Sequence, residues 1–238
     1  MLKTTGGFST VLWALMIQPA AAAPLSLMTF DRYAQECGPS VASSTLAAIA
    51  KVESQLDPLA MHDNTTGETL HWNEQARAIR SASDRLQAGH SIDVGLMQIN
   101  SANFSTLRLS IGEAFEPCPS LSAAARILVK SYRGGTTTKE RQQSLRQALS
   151  MYNTGDPQDG FANGYVRRVE VAAQQLVPAL SDVSKNENGD DRMEETWNVW
   201  ETYDQQRLPS VPPDLRGSDP PVSEHKNQIL LDLKDGGA

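Results

Sequence analysis

The chain has 238 residues, 39% of them apolar, which is enough for one substantial folded domain. Its net charge of −7 argues against a nucleic-acid binder, which needs a basic surface. The acidity is local: residues 181–238 carry 13 acidic and 6 basic side chains, leaving residues 1–180 balanced at 15 of each.

In chain order, the first feature is Lys3, followed by the apolar run FSTVLWALMI and the small-residue stretch QPAAAAP. This is the pattern of a secretory signal peptide over residues 1–22, with cleavage after Ala22 because Pro24 directly after the cut bond would hinder a peptidase. The apolar run is half of the roughly 20 residues that span a bilayer, so no stable membrane anchor is expected. Export gives meaning to Cys37 and Cys118, the two cysteines of the chain, each near a proline. In an oxidising compartment they are expected to form one disulfide, with two buried thiols as the alternative. Closing a loop of about 80 residues contributes on the order of 4 kcal/mol.

The mature part, residues 23–180, reads as helices with short breaks. Ser43 or Ser44 caps a helix whose apolar residues Leu46, Ile49, Ala50 and Val52 run up to Glu53, and Asp57-Pro58 stops it. A turn at Asn64–Gly67 leads into a short strand, Asn73 caps NEQARAIRSASDRLQAG, and Gly89 ends that helix. SIDVGLMQIN reads as one strand leading into a helix from about Ser101, and further helices are expected near 120–132, 138–151 and 162–177. Residues 181–238 are polar and proline-containing and are expected to be a flexible, disordered tail. Within it, Trp197–Tyr203 and Ile229–Leu233 are either docking motifs or scattered apolar residues.

Chemistry enters at Glu53, which lies four residues after Ile49 and seven after Leu46, in line with an apolar helix face. A carboxylic acid held against apolar surface keeps its proton more readily, as a glycosidic acid must. The same position, with Lys51 and Asp57 nearby, equally suits an ordinary solvated glutamate.

Three motifs in order decide between these readings: VESQL at 52–56, DVGLMQIN at 93–100 and MYNTG at 151–155, followed by a helix containing Tyr165. Together they resemble the lysozyme-like, SLT-type lytic transglycosylases that cleave peptidoglycan, over residues 34–178. With Cys37, Cys118 and FANGYVRRV at 161–169, the chain looks most like the specialised members that accompany type IV secretion systems. The resemblance implies a mainly helical α+β, lysozyme-like domain with a small β insert, acting in the periplasm on peptidoglycan glycan strands.

It also implies residue roles. Glu53 is the general acid and then the base, and Ser54 supports the helix end or contacts the sugar's acetamido group. Gly95 lets the backbone approach substrate, Met97 packs under the sugar, and Gln98 and Asn100 bond the cleft or hold its floor. Tyr152 orients Glu53 by a hydrogen bond, Asn153 contacts substrate or braces its loop, and Tyr165 is a further cleft residue. Asn100 equally suits a helix cap, and Leu96 and Ile99 read as core.

The expected reaction splits the β-1,4 bond between N-acetylmuramic acid and N-acetylglucosamine and leaves 1,6-anhydro ends. The substrate's acetamido group would assist, with no cofactor and no metal; His62, His71, His90 and His225 show no ligand pairing. Asp93 departs from many lytic transglycosylases, because Asp-x-Gly-Leu-Met-Gln-Ile-Asn-Ser is similar to the strand of animal-type lysozymes that carries a second catalytic carboxylate. Asp93 is therefore either that carboxylate, making the enzyme a hydrolase, or a strand-end residue bonding nearby amides. A third reading is a non-catalytic wall-binding assembly factor. In each case secretion-system components are the expected protein partners, engaged through residues 181–238.

Overall fold

The computed structural model describes residues 24–187. The expectations for the signal peptide over 1–22 and for the tail motifs after residue 187 lie outside the described residues. A central helix, α2 (Ser43–Ser54), organises the rest. Leu46, Ala47, Ala48, Ile49 and Ala50 are all fully buried, so α2 is apolar around its whole circumference and is packed on every side. Its alanines keep the cylinder thin enough for α1 (Leu27–Cys37), α6 (Pro117–Ser131) and α9 (Tyr165–Glu187) to close on it. On α9, Tyr165, Val166, Val169, Ala172, Ala173, Leu176 and Leu180 recur at helical spacing and supply the buried stripe. Cys37, at the end of α1, is bonded to Cys118 in the first turn of α6, with Cα atoms 5.3 Å apart.

Four short strands form one antiparallel sheet in the order β2-β1-β3-β4. Strands β1 (Ala60–Asp63) and β2 (Glu68–His71) make a hairpin, β3 (Ile92–Val94) pairs with the other edge of β1, and β4 (Ile99–Asn100) pairs with β3. Helix α3 (Gln75–Gln87) lies between β2 and β3 in sequence, and α4 (Phe104–Leu107) and α5 (Ile111–Ala114) follow the sheet. Helices α7 (Thr138–Thr154) and α8 (Asp159–Ala162) lead into α9. Among the described residues, no helix is long and apolar enough to cross a membrane.

Several expectations are corrected. Residues 92–100 are not one strand: a left-handed Gly95 (φ 79°) and Gln98 (φ 46°) turn the chain back on itself, and the Gln98 amide N–H donates to the Gly95 carbonyl at 3.1 Å. Asn73 does not cap α3; Glu74 holds that place without a side-chain bond. The helix expected over 162–177 begins at Tyr165, after Gly164 reverses the backbone at φ 76°, and runs through Pro178 to Glu187. Helix α1 and strand β1 are additions to the expected elements.

The sheet is locked by one carboxylate. Asp63 is fully buried at the end of β1; its Oδ1 accepts the Thr65 and Thr66 amides at 2.9 and 3.1 Å. Its Oδ2 accepts Arg85 Nη1 and His90 Nδ1, both at 2.7 Å, tying the β1–β2 turn to α3 and to the entry of β3. Burial alone raises this carboxyl's pKa, but the bonds from His90, Thr65, Thr66 and Arg85 outweigh it and hold the group at about 2. A group depressed in the folded state contributes stability above its unfolded pKa and loses it as pH falls through the folded one. Asp63 is therefore expected to contribute about 2 kcal/mol that is present above pH ~4 and lost towards pH ~2. Urea unfolding of Asp63→Asn against wild type at pH values across that window checks this: the gap between the two curves should narrow as pH falls, and a pH-independent gap would contradict it.

Candidate active site

Glu53 is the penultimate residue of α2 and is half-buried. The helix stops directly after it: Gln55 and Leu56 both adopt left-handed backbone angles, φ 57° and 68°. Two successive non-glycine residues in this region are costly, by roughly 1–2 kcal/mol each. They are held by the Leu56 amide donating to Ala50 O at 3.2 Å and the Asp57 amide donating to Ser54 O at 3.1 Å. The reversal keeps the glutamate at the very end of a rigid, buried rod.

The Tyr165 hydroxyl donates to Glu53 Oε1 at 2.7 Å, joining residues 112 apart in sequence. Tyr165 is the first residue of α9 and is 1% exposed. Its phenol is pushed well above the ordinary range by burial first and then by the charge of Glu53, with Arg168 opposing. The proton therefore stays on Tyr165, which acts as a fixed donor to one oxygen of the carboxyl.

This corrects the role expected of Tyr152. Its hydroxyl donates to the Met97 carbonyl at 2.7 Å, while Tyr165 takes the bond to Glu53. Tyr152 nevertheless borders the same charges: its phenol is raised by burial, then by Glu53, then by Asp93.

The turn between β3 and β4 forms a platform bound from several sides. Ser54 Oγ donates to Leu96 O at 2.7 Å and to Ala50 O at 3.2 Å, so its buried hydroxyl fastens the helix end to the turn. Gln98 is 6% exposed, and its Nε2 donates to Ala60 O at 3.1 Å and Gly95 O at 2.9 Å, holding the floor from below. Met97 is fully buried, and its amide donates to Ser120 Oγ at 3.2 Å, a contact from α6 that no motif announced. Leu96 and Ile99 enter the core as expected.

Gly95 has a packing reason to be glycine. A Cβ there would lie 1.9 Å from the Ala114 carbonyl oxygen, so the close backbone approach that this glycine permits is to α5. Asn100 Nδ2 donates to Asp93 Oδ1 at 2.9 Å, and Asn100 Oδ1 accepts the Ala102 amide at 2.9 Å, capping the turn of helix at Ser101–Asn103. Asp93, in the middle of β3 with cross-strand neighbours His62 and Asn100, is 1% exposed. Asn153 Oδ1 accepts Asn163 Nδ2 at 2.9 Å, which braces α7 against the entry to α9.

This arrangement coincides with a known family. The Transglycosylase SLT domain model matches residues 32–174, a stretch that takes in α2, the sheet and Tyr165. The chain belongs to the SLT-type peptidoglycan lytic transglycosylases. Protein virB1 of Agrobacterium fabrum is 59% identical over 203 residues, covering 85% of this chain and 83% of the relative. Protein virB1 of Rhizobium radiobacter is 50% identical over 238 residues, 98% of this chain and 100% of the relative. Type IV secretion system protein virB1 of Brucella suis is 32% identical over 166 residues, 66% of this chain and 69% of the relative. No solved structure matches.

The close approach of Gly95 to α5 gives this glycine a measurable weight in stability. Gly95→Ala has to place a methyl group against a backbone carbonyl at a left-handed φ of 79°. It is expected to cost more than about 3 kcal/mol, read as a shifted urea midpoint. A midpoint within error of wild type would contradict this packing role.

Proposed function

We propose that Glu53 is the general acid and then the general base of a transglycosylase that cleaves the β-1,4 bond between N-acetylmuramic acid and N-acetylglucosamine. The supporting observation is the contrast between two carboxylates. Glu53 is half-buried and held at Oε1 by Tyr165, whereas Asp93 is 1% exposed and clasped by Asn100 inside the sheet. This contrast supports Glu53, and not Asp93, as the group that would exchange a proton with substrate.

Glu53 would protonate the leaving glycosidic oxygen as positive charge develops at the muramic C1, with the substrate's own acetamido oxygen assisting from the opposite face. Deprotonated Glu53 would then take the proton of the muramic C6 hydroxyl, whose oxygen closes on C1 to give a 1,6-anhydro end. Tyr165 remains protonated throughout and holds the carboxyl's orientation. Met97, Gln98 and Asn100 would support the floor under the sugar, with Ser54 and Tyr152 fastening that floor to α2 and α7 and Asn153 bracing α7 against the entry to α9.

A hydrolytic reading with Asp93 as second carboxylate has one observation in its favour. The pKa of Tyr152, raised first by burial, is raised further by the charges of Glu53 and then Asp93. A carboxylate bordering the same phenol as the acid would act on a cationic centre there through its charge. Electrostatic help of this kind does not require water to finish the reaction.

The enzyme is proposed to act in the periplasm, opening the wall locally for a type IV secretion system. Identity of 50% along the whole of one VirB1 protein, and the naming of the Brucella relative as a type IV secretion system protein, support this assignment. Residues 181–238 are proposed to engage components of that system. Zymography on cell-wall gels tests the catalytic role: wild type should clear and Glu53→Gln should fall by about a thousandfold or more. Equal clearing by both would remove Glu53 as the acid, and absence of clearing by both would favour the wall-binding assembly factor.

A further inference from the structure

Asn163 stands in the two-residue break between α8 and α9, and both ends of its amide are engaged. Its Nδ2 donates to Asn153 Oδ1 at 2.9 Å, and its Oδ1 accepts the Tyr165 backbone N–H at 2.9 Å. Its carbonyl accepts Arg168 Nη1 at 3.0 Å, and the same guanidinium lies 5.8 Å from the centre of the Tyr165 ring. Tyr165 completes the series with its bond to Glu53. Three hydrogen bonds therefore run from α7, through the break, to the carboxyl at the end of α2.

The placement matters because Tyr165 is the first residue of its helix. The first amides of a helix have no partner within it, and first turns fray unless a side chain satisfies them. Here the fraying end is the end that carries the donor to Glu53. The Asn163 oxygen fixes that first amide, and the Asn163 nitrogen fixes the break itself to α7. An asparagine meets both demands because it offers one acceptor and two donors on a short stem. Gly164, at φ 76°, turns the chain between them.

We propose that Asn163 is a positioning residue for the reaction, acting through Tyr165 to couple Asn153 to the Glu53 carboxyl. The proposal rests on Glu53 as the general acid. Asn163 touches neither substrate nor the reacting atoms; it sets where the phenol, and hence the carboxyl, sits.

Asn163→Asp separates the two ends of the amide, since it keeps an oxygen for the Tyr165 amide and removes the donor to Asn153. On solubilised glycan strands its kcat should fall about tenfold with KM changed less than about twofold. Tyr165→Phe cuts the series further along, so adding Asn163→Asp in that background should change kcat by less than about twofold. Asn153→Ala cuts the same link from the other end, should reproduce the loss, and keeps the test open if the Asn163→Asp chain melts early. Wild-type kcat in Asn163→Asp, or an undiminished tenfold loss in the Tyr165→Phe background, would overturn the coupling. Activity retained by Glu53→Gln would instead remove the general-acid reading, so the two failures are separable.

Discussion

The bond from Tyr165 to Glu53 is the contact on which the site depends, because it joins the two helices whose packing defines the domain. Helix α2 is buried around the full circumference of its middle, which fixes its axis and leaves Glu53, in its last turn, half-buried. Helix α9 lays an apolar stripe along α2, and the first residue of that stripe is Tyr165. The stripe fixes the phenol, and the phenol fixes the carboxyl. A buried, protonated hydroxyl donating to a half-buried carboxyl group is worth more than the same pair in water.

The floor of the site is built from main chain as much as from side chains. Three consecutive carbonyls of the β3–β4 turn are each taken by a different part of the molecule. The Gly95 carbonyl is bonded by Gln98, that of Leu96 by Ser54 at the end of α2, and that of Met97 by Tyr152 on α7. These bonds satisfy buried polar groups that would otherwise cost about 1–3 kcal/mol each. They also tie the end of α2, the turn and α7 together. Most of the amide and hydroxyl side chains that look available for sugar in the sequence are thus engaged in holding the floor.

That is also why the sequence could be read so far and no further. The apolar spacing of Leu46, Ile49 and Val52 placed Glu53 on the face of a helix, and the three motifs in order pointed to the family that residues 32–174 match. Helices α6 and α7 were legible for the same reason of period. The partner of Glu53 was not, because Tyr152 lies near the end of one helix and Tyr165 opens another, and which phenol reaches the carboxyl depends on how α7 and α9 cross α2. The hairpin at 92–100 was hidden by Gln98, whose left-handed backbone has no marker in a residue type that seldom adopts it. Strand β1 is four residues long and has no alternation of its own; its pairing with β2 and β3 makes it a strand. Asn163 does carry a local signal, since an asparagine just before an apolar helical run is a helix-capping residue and Asn-Gly is a turn pair.

The burial of Asp93 links this geometry to the chemistry. Asp93 is 1% exposed within the sheet and accepts a bond from Asn100, so little of its surface meets solvent. The most direct measurement is mass spectrometry of the muramic ends released when the purified enzyme digests cell wall in water enriched in heavy oxygen. The account predicts 1,6-anhydro ends free of label, because the C6 hydroxyl of the substrate closes the ring. Reducing ends that carry heavy oxygen at C1 would mean that water completes the reaction, and would contradict it.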